Sequence, residues 1–121
     1  MVIHDNFSDF VLFLYVYIAF SDGEFHPLER ETILEKMKKL YPNESDYDKR
    51  IDETVRLYDD FDKNQFKTLF TDSFKHFSKV TFSQRYKIYT DMYEIVHADG
   101  KVLEAETKAL NALKEVIDIT S

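Results

Sequence analysis

Two glycines constrain this chain more than any other feature. They are Gly23 and Gly100, they lie 77 residues apart, and each follows an aspartate. At average usage, 121 residues would carry roughly 8 Gly and roughly 6 Pro. This chain has 2 of each. So few turn residues cannot serve the many hairpins of a sandwich or barrel. Glycine clusters for a dinucleotide fingerprint or a phosphate loop are missing as well. The chain must be built from long elements with short connections, which means helices.

The hydrophobic pattern agrees. Phe10 to Phe20 is an uncharged run of eleven residues. That is about half of what a bilayer span needs. Asp5 and Asp9 precede it without Lys or Arg, so it is a poor signal peptide. It reads as a central helix over about Ser8 to Ser21, apolar nearly all round. No membrane insertion is expected. A second helix is expected from Pro27 to Leu40, burying Leu28, Ile33, Met37 and Leu40. A third should span Asp46 to Tyr58, with Ser45 as N-cap. A fourth carries Phe66, Leu69, Phe70, Phe74 and Phe77 at helical spacing. Thr81 and Gln84 form a capping box that opens a fifth. Its expected buried stripe is Phe82, Tyr86, Tyr89, Met92, Tyr93 and Val96. A sixth holds Ala105, Leu110, Leu113 and Ile117.

The fold class is therefore all-α. It is a compact bundle of about six helices, made of two pseudo-symmetric helix–Asp-Gly turn–helix units with a helical pair between them. No linker or low-complexity stretch divides it, so residues 1–121 are read as one domain. The 16% aromatic content (11 Phe, 8 Tyr) points to a core of rings.

Aligning the halves at the 77-residue offset exposes the repeat. Asp22 meets Asp99, Gly23 meets Gly100, Glu29 meets Glu106 and Ile18 meets Ile95. Both glycines fall in register, which indicates a duplicated unit. The spacing Asp-Gly-x-apolar-x-x-x-Glu matches the back half of an EF-hand loop. The front half fails, because Ile18, Phe20, Ile95 and His97 stand where a hard cation needs oxygens. Asp60-x-Asp62-x-Asn64 lacks the Gly and Glu that would follow and reads as a capped loop.

Two readings stay open at the repeat. In one, each Asp-Gly stops a helix and each Glu is the N3 member of a capping box. Neither N-cap candidate, His26 or Leu103, is a usual capping type. In the other, the two turns meet about a pseudo-twofold axis. Asp22, Glu29, Asp99 and Glu106 then form one oxygen-rich site, with His26 or His97 at its edge. Such a site suits Ca²⁺ or Mg²⁺, or a softer ion if the histidines join.

Charge narrows the function classes. The net charge of −7 opposes nucleic-acid binding. Residues 43–62 carry a net −5 and residues 63–87 a net +5, and the two runs are expected to screen one another. With no Cys there is no disulfide, thiolate nucleophile or iron–sulfur cluster. His97 beside Asp99 could do acid–base work. No nucleophile motif or cofactor loop accompanies it, so an enzyme is not expected. His4 and His76 have no evident partner motif.

The repeated segments also resemble a known family. Ser21-Asp22-Gly23-Glu24-Phe25-His26-Pro27-Leu28-Glu29-Arg30-Glu31 and Ala98-Asp99-Gly100-Lys101-Val102, with Glu106 after it, are similar to the signature of TerB-like tellurite-resistance domains. The same module resembles the N-terminal domain of some DnaJ-type co-chaperones. The resemblance runs from about Phe10 to Ile117. It implies paired helical hairpins and a cytoplasmic role in tellurite resistance or stress response; a protein partner is expected as well. It also implies metal binding at Asp22, Glu29, Asp99 and Glu106. Leu103 and Glu104 depart from the family's usual polar cap and Pro, and Phe20 stands where a small residue is common.

Overall fold

A computed structural model describes residues 1–98, 100 and 102–120. Asp99, Lys101, Ser121 and the Ile119 side chain lie outside that description. The described residues form α1 (Phe7–Ala19), α2 (Pro27–Leu40), α3 (Tyr47–Asp60), a 3₁₀ turn (Lys63–Gln65), α4 (Phe66–His76), α5 (Phe82–Val96) and α6 (Glu104–Thr120). The all-α expectation holds, and Pro27 opens α2 where its missing N–H costs nothing.

Helix α1 is the axis of the molecule. It packs against α2, α3, α5 and α6. Every residue from Phe10 to Val16 is buried. The Asn6 side chain caps it by accepting the Asp9 N–H at 2.9 Å. Its rings organise the core. Phe10 meets Phe74 edge-on at 5.2 Å, and Phe13 meets Phe61 edge-on at 5.9 Å. Such offset geometries let the positive ring edge face the negative ring face.

Helix α5 packs on α1, α2 and α6. Its buried face is not the aromatic stripe. Phe82 and Tyr93 are about half exposed, at 51% and 50%. Arg85, Ile88, Asp91, Met92, Ile95 and Val96 are buried instead. Both sets have helical periodicity. Ile88, Met92, Ile95 and Val96 join the buried core, and the rings bury only partly because a Tyr body can lie along a surface.

Smaller corrections follow the same pattern. Leu28 is exposed, since α2 buries Glu29 in its first turn. The N-cap of α3 is Asp46, at φ +57°, not Ser45. His4 does have a setting: it is buried against Phe13 (5.3 Å) and Phe10 (6.0 Å). Burial pushes its pKa below the ordinary 6.5, against the pull of Asp9 and Asp5. The charge runs do not pair with each other among the described residues. Acids of the 43–62 run pair with Arg30 (Asp48 at 3.3 Å, Asp52 at 3.0 Å) and, through Glu44, with Arg50. The Asp60–Asn64 segment is the capped loop expected of it, with Asp62 Oδ1 accepting the Asn64 N–H at 3.0 Å.

Candidate functional site

The two Asp-Gly turns share one backbone frame. In the first, Phe20 N–H donates to Val16 O (3.0 Å), Ser21 N–H to Ile18 O (3.2 Å) and Gly23 N–H to Phe20 O (2.8 Å). In the second, 77 residues on, His97 N–H donates to Tyr93 O (3.3 Å), Ala98 N–H to Ile95 O (3.1 Å) and Gly100 N–H to His97 O (3.0 Å). Gly23 has φ +91° and Gly100 φ +78°. Only a residue without Cβ takes such values without strain. That explains why the two glycines of the chain stand at these positions.

The following glutamates also match. Glu29 Oε1 accepts the His26 N–H at 2.9 Å, and Glu106 Oε1 accepts the Leu103 N–H at 3.0 Å. Both residues are only 2% exposed. Each carboxylate thus satisfies an N–H at the positive end of its helix. The reciprocal bond differs. His26 Nδ1 accepts the Leu28 N–H at 3.1 Å, so this histidine is a working cap, contrary to its usual preference. The bond requires Nδ1 without a proton. Leu103 has no acceptor to offer.

Asp22 accepts the Glu24 N–H at 3.0 Å and tightens the first turn. Its counterpart Asp99 lies outside the described residues. Among the described residues, no group of three or more His, Asp or Glu is close enough to hold a metal ion. His97 Nδ1 lies 2.7 Å from Tyr93 O, and its ring packs on Tyr93 at 4.0 Å. His26 is taken up by its cap. The first turn opens on a groove of about 740 Å³ that Ser21 and Gly23 share with Ala105 and Lys108 of α6. The fold therefore sets the first turn across a groove from the first turns of α6.

A second polar assembly was not anticipated from the sequence. Asp91 is fully buried on α5. Its Oδ2 accepts the Tyr15 hydroxyl at 3.0 Å, and Lys87 donates to Oδ1 at 2.8 Å. Lys36 stands 3.7 Å from the same Oδ1 and also pairs with Glu94. Burial, reinforced by the Asp91 charge and hydrogen bond, holds the Tyr15 hydroxyl far above the usual tyrosine range. The hydrogen bond to Glu94 raises Lys36 and lowers Glu94. The signal was present: Asp91 sits in register with Ile88, Met92 and Ile95, and a charge on an apolar face demands partners. Arg85 is a further buried charge. It donates to Thr120 O (2.7 Å) and Phe74 O (3.2 Å), at the C-terminal ends of α6 and α4, where a cation suits the dipoles.

With this geometry in hand, a comparison with protein families is decisive. The family model of tellurite resistance protein TerB matches residues 11–121. The chain belongs to the TerB family. No curated protein and no solved structure gives a significant match. This TerB-family chain is thus a domain of the tellurite-resistance type. The match takes in both turns, α1 from Val11 and every later helix. No helix among the described residues is long and apolar enough to cross a membrane.

Proposed function

We propose that this TerB-family domain is a non-enzymatic binding domain. In this reading it holds a divalent cation at the end that carries its Asp-Gly turns, acts in the cytoplasm, and engages a protein partner. Asp22, Glu29, Asp99 and Glu106 are the ligands, with His26 and His97 at the margin. The observation that carries the reading is the duplication of a buried carboxylate. Glu29 and Glu106 occupy equivalent places after equivalent turns, each oriented by a backbone N–H. Pre-oriented carboxylates lower the cost of assembling a cation site. A cap bond is compatible with ligation, because a carboxylate can accept more than one bond. The donors are all oxygens, which suits Ca²⁺ or Mg²⁺. The pattern of packing adds support. α1 packs on α6 as α5 packs on α2, although α1 also packs on α3 and, among the described residues, α5 has no such contact.

Bound cation supplies positive charge that lets four carboxylates sit together. The protein's own part is to hold each Glu at its helix start and each Asp in its turn. Calorimetric titration with Ca²⁺, Mg²⁺, Mn²⁺ and Zn²⁺, beside thermal melting, tests this. Binding to the folded state alone raises the melting midpoint. No response to any of the four at millimolar concentration would sink it.

A second reading has its own observation. The bonds of Glu29, Glu106 and Asp22 already account for each residue as a helix or turn cap. The domain is then a purely structural helical interaction module. Asp22→Asn combined with Asp99→Asn should in that case leave ion response, stability and partner binding unaltered.

A further inference from the structure

The 740 Å³ groove at the first turn does not end there. It continues along α6 into a narrower cleft of about 130 Å³ over α4, the two joined at Tyr17 and Ala112. One wall is the small-residue face of α6, Ala105, Ala109 and Ala112. These recur at i, i+4 and i+7, so they form one stripe. The opposite wall is aromatic: Tyr17, Phe20 and Tyr58. From Ala105 to Val116 the channel runs for about 16 Å, three helical turns. Alanines allow another helix to approach at the short end of the usual 8–10 Å interaxial range.

Charge selects the occupant. In a chain of net −7, three lysines line this channel: Lys63, Lys67 and Lys108. Lys108 pairs with Glu104 at 3.2 Å. Lys63 lies over the Tyr58 ring at 4.1 Å, and among the described residues neither it nor Lys67 pairs with a carboxylate. Asp59 and Glu115 are the acids of the lining. No strand edge exists among the described residues to receive an extended peptide, so a helix is the fitting shape. A second copy of this chain is a poor occupant. Its acidic helix, α3, already uses its apolar face, Ile51 and Tyr58, in its own core.

We propose that this channel docks an amphipathic helix of a protein partner, with its apolar stripe against the alanines of α6 and an acidic flank against Lys63 and Lys67. The inference rests on the reading that the domain engages a protein partner, and it names where and what. It does not depend on the cation.

The test is a selection of random 16-residue displayed peptides on the full chain, performed once in EDTA and once in Ca²⁺. Enriched peptides should be acidic, with apolar residues at i, i+3 or i+4, and i+7. Their binding should weaken at least tenfold against Ala112→Trp, which fills the channel from an exposed position. It should weaken at least tenfold against Lys63→Glu combined with Lys67→Glu, and Glu→Lys peptides should recover on that double variant. The charge variant keeps the test informative if Ala112→Trp disturbs folding. Four results overturn the proposal: no enriched peptide, basic or proline-rich winners, winners indifferent to both variants, or a dimer in sedimentation that Ala112→Trp dissolves. Winners that bind elsewhere would overturn the channel alone and leave partner binding standing. Calorimetry with the four cations judges the metal separately.

Discussion

Helices α1 and α5 occupy equivalent places before equivalent turns, yet their interiors differ. At the 77-residue offset Leu14 corresponds to Asp91, and both are fully buried. One is satisfied by packing. The other needs Tyr15 from the opposite unit, Lys87 from its own helix, and Lys36 from α2. The turns show the reverse relation. Their backbone bonds are the same, while the residues at the following N-cap are as unlike as His26 and Leu103. The backbone frame therefore depends on the Gly and the Glu. What the frame buries depends on which partners tertiary packing brings to each position.

The largest expected effect breaks the interior of α5. Asp91→Ala leaves Tyr15 and Lys87 without their acceptor and should cost about 3 kcal/mol, toward the lower end for a broken buried pair. Asp91→Leu, which copies Leu14, should cost less if removing the whole polar demand is what matters. Urea denaturation reads both. An Asp91→Leu loss equal to that of Asp91→Ala would show that the position cannot be made apolar, as its counterpart in α1 is.

The next pair tests the identity of the turns. Gly23→Ala and Gly100→Ala should each cost about 1–2 kcal/mol, the strain of a left-handed residue with a Cβ. Nothing lies within 4 Å of an added Cβ at either position, so sterics with neighbours do not enter. Equal losses support one frame; a difference above about 1 kcal/mol would separate the turns.

His26→Ala should then cost about 1 kcal/mol as a lost cap. Leu103→Ala, at a half-exposed position with no side-chain cap bond, should fall within about 0.5 kcal/mol of the parent. Paired melts decide whether the first turn alone uses its N-cap side chain.

The smallest effects are in pH. His4, before α1, has a lowered pKa, so its contribution is present above 6.5 and lost as pH falls through the folded value. Glu94, on α5, is also lowered, and its contribution is lost only below 4.5. Lys36 and Tyr15 are raised, so their contributions hold below about 10 and fade as pH climbs. His4→Gln should flatten stability between pH 6.5 and 4.5, and Tyr15→Phe should flatten the alkaline limb. A melting profile unchanged by His4→Gln would remove the first unit from the acid limb.

Much of the frame was legible along the chain. Pro27 and Leu40 bound α2 as expected, and the Thr81–Gln84 box opens α5. Local rules suffice there, because caps and turns involve neighbours only a few residues apart. The candidate ligands Glu29 and Glu106 were equally visible from their spacing to the glycines. The buried face of α5 was not. Two overlapping stripes fit a period of 3.6, and ring size favoured the wrong one. The role of His26 was hidden because Nδ1 accepts only when it carries no proton and the side chain turns it toward the Leu28 N–H.

The sequence by itself determined the class of fold, the repeat and the two turns. Glycine scarcity leaves no other architecture, and only two positions can take a positive φ without the cost of a Cβ, a cost that Asp46 bears at φ +57°. Tertiary structure alone decided that Asp91 meets Tyr15, that Arg85 closes two distant helix ends, and that the first turn opens onto α6. These pairings join residues tens of positions apart. Their energy exists only once the helices have packed, so no local periodicity records them.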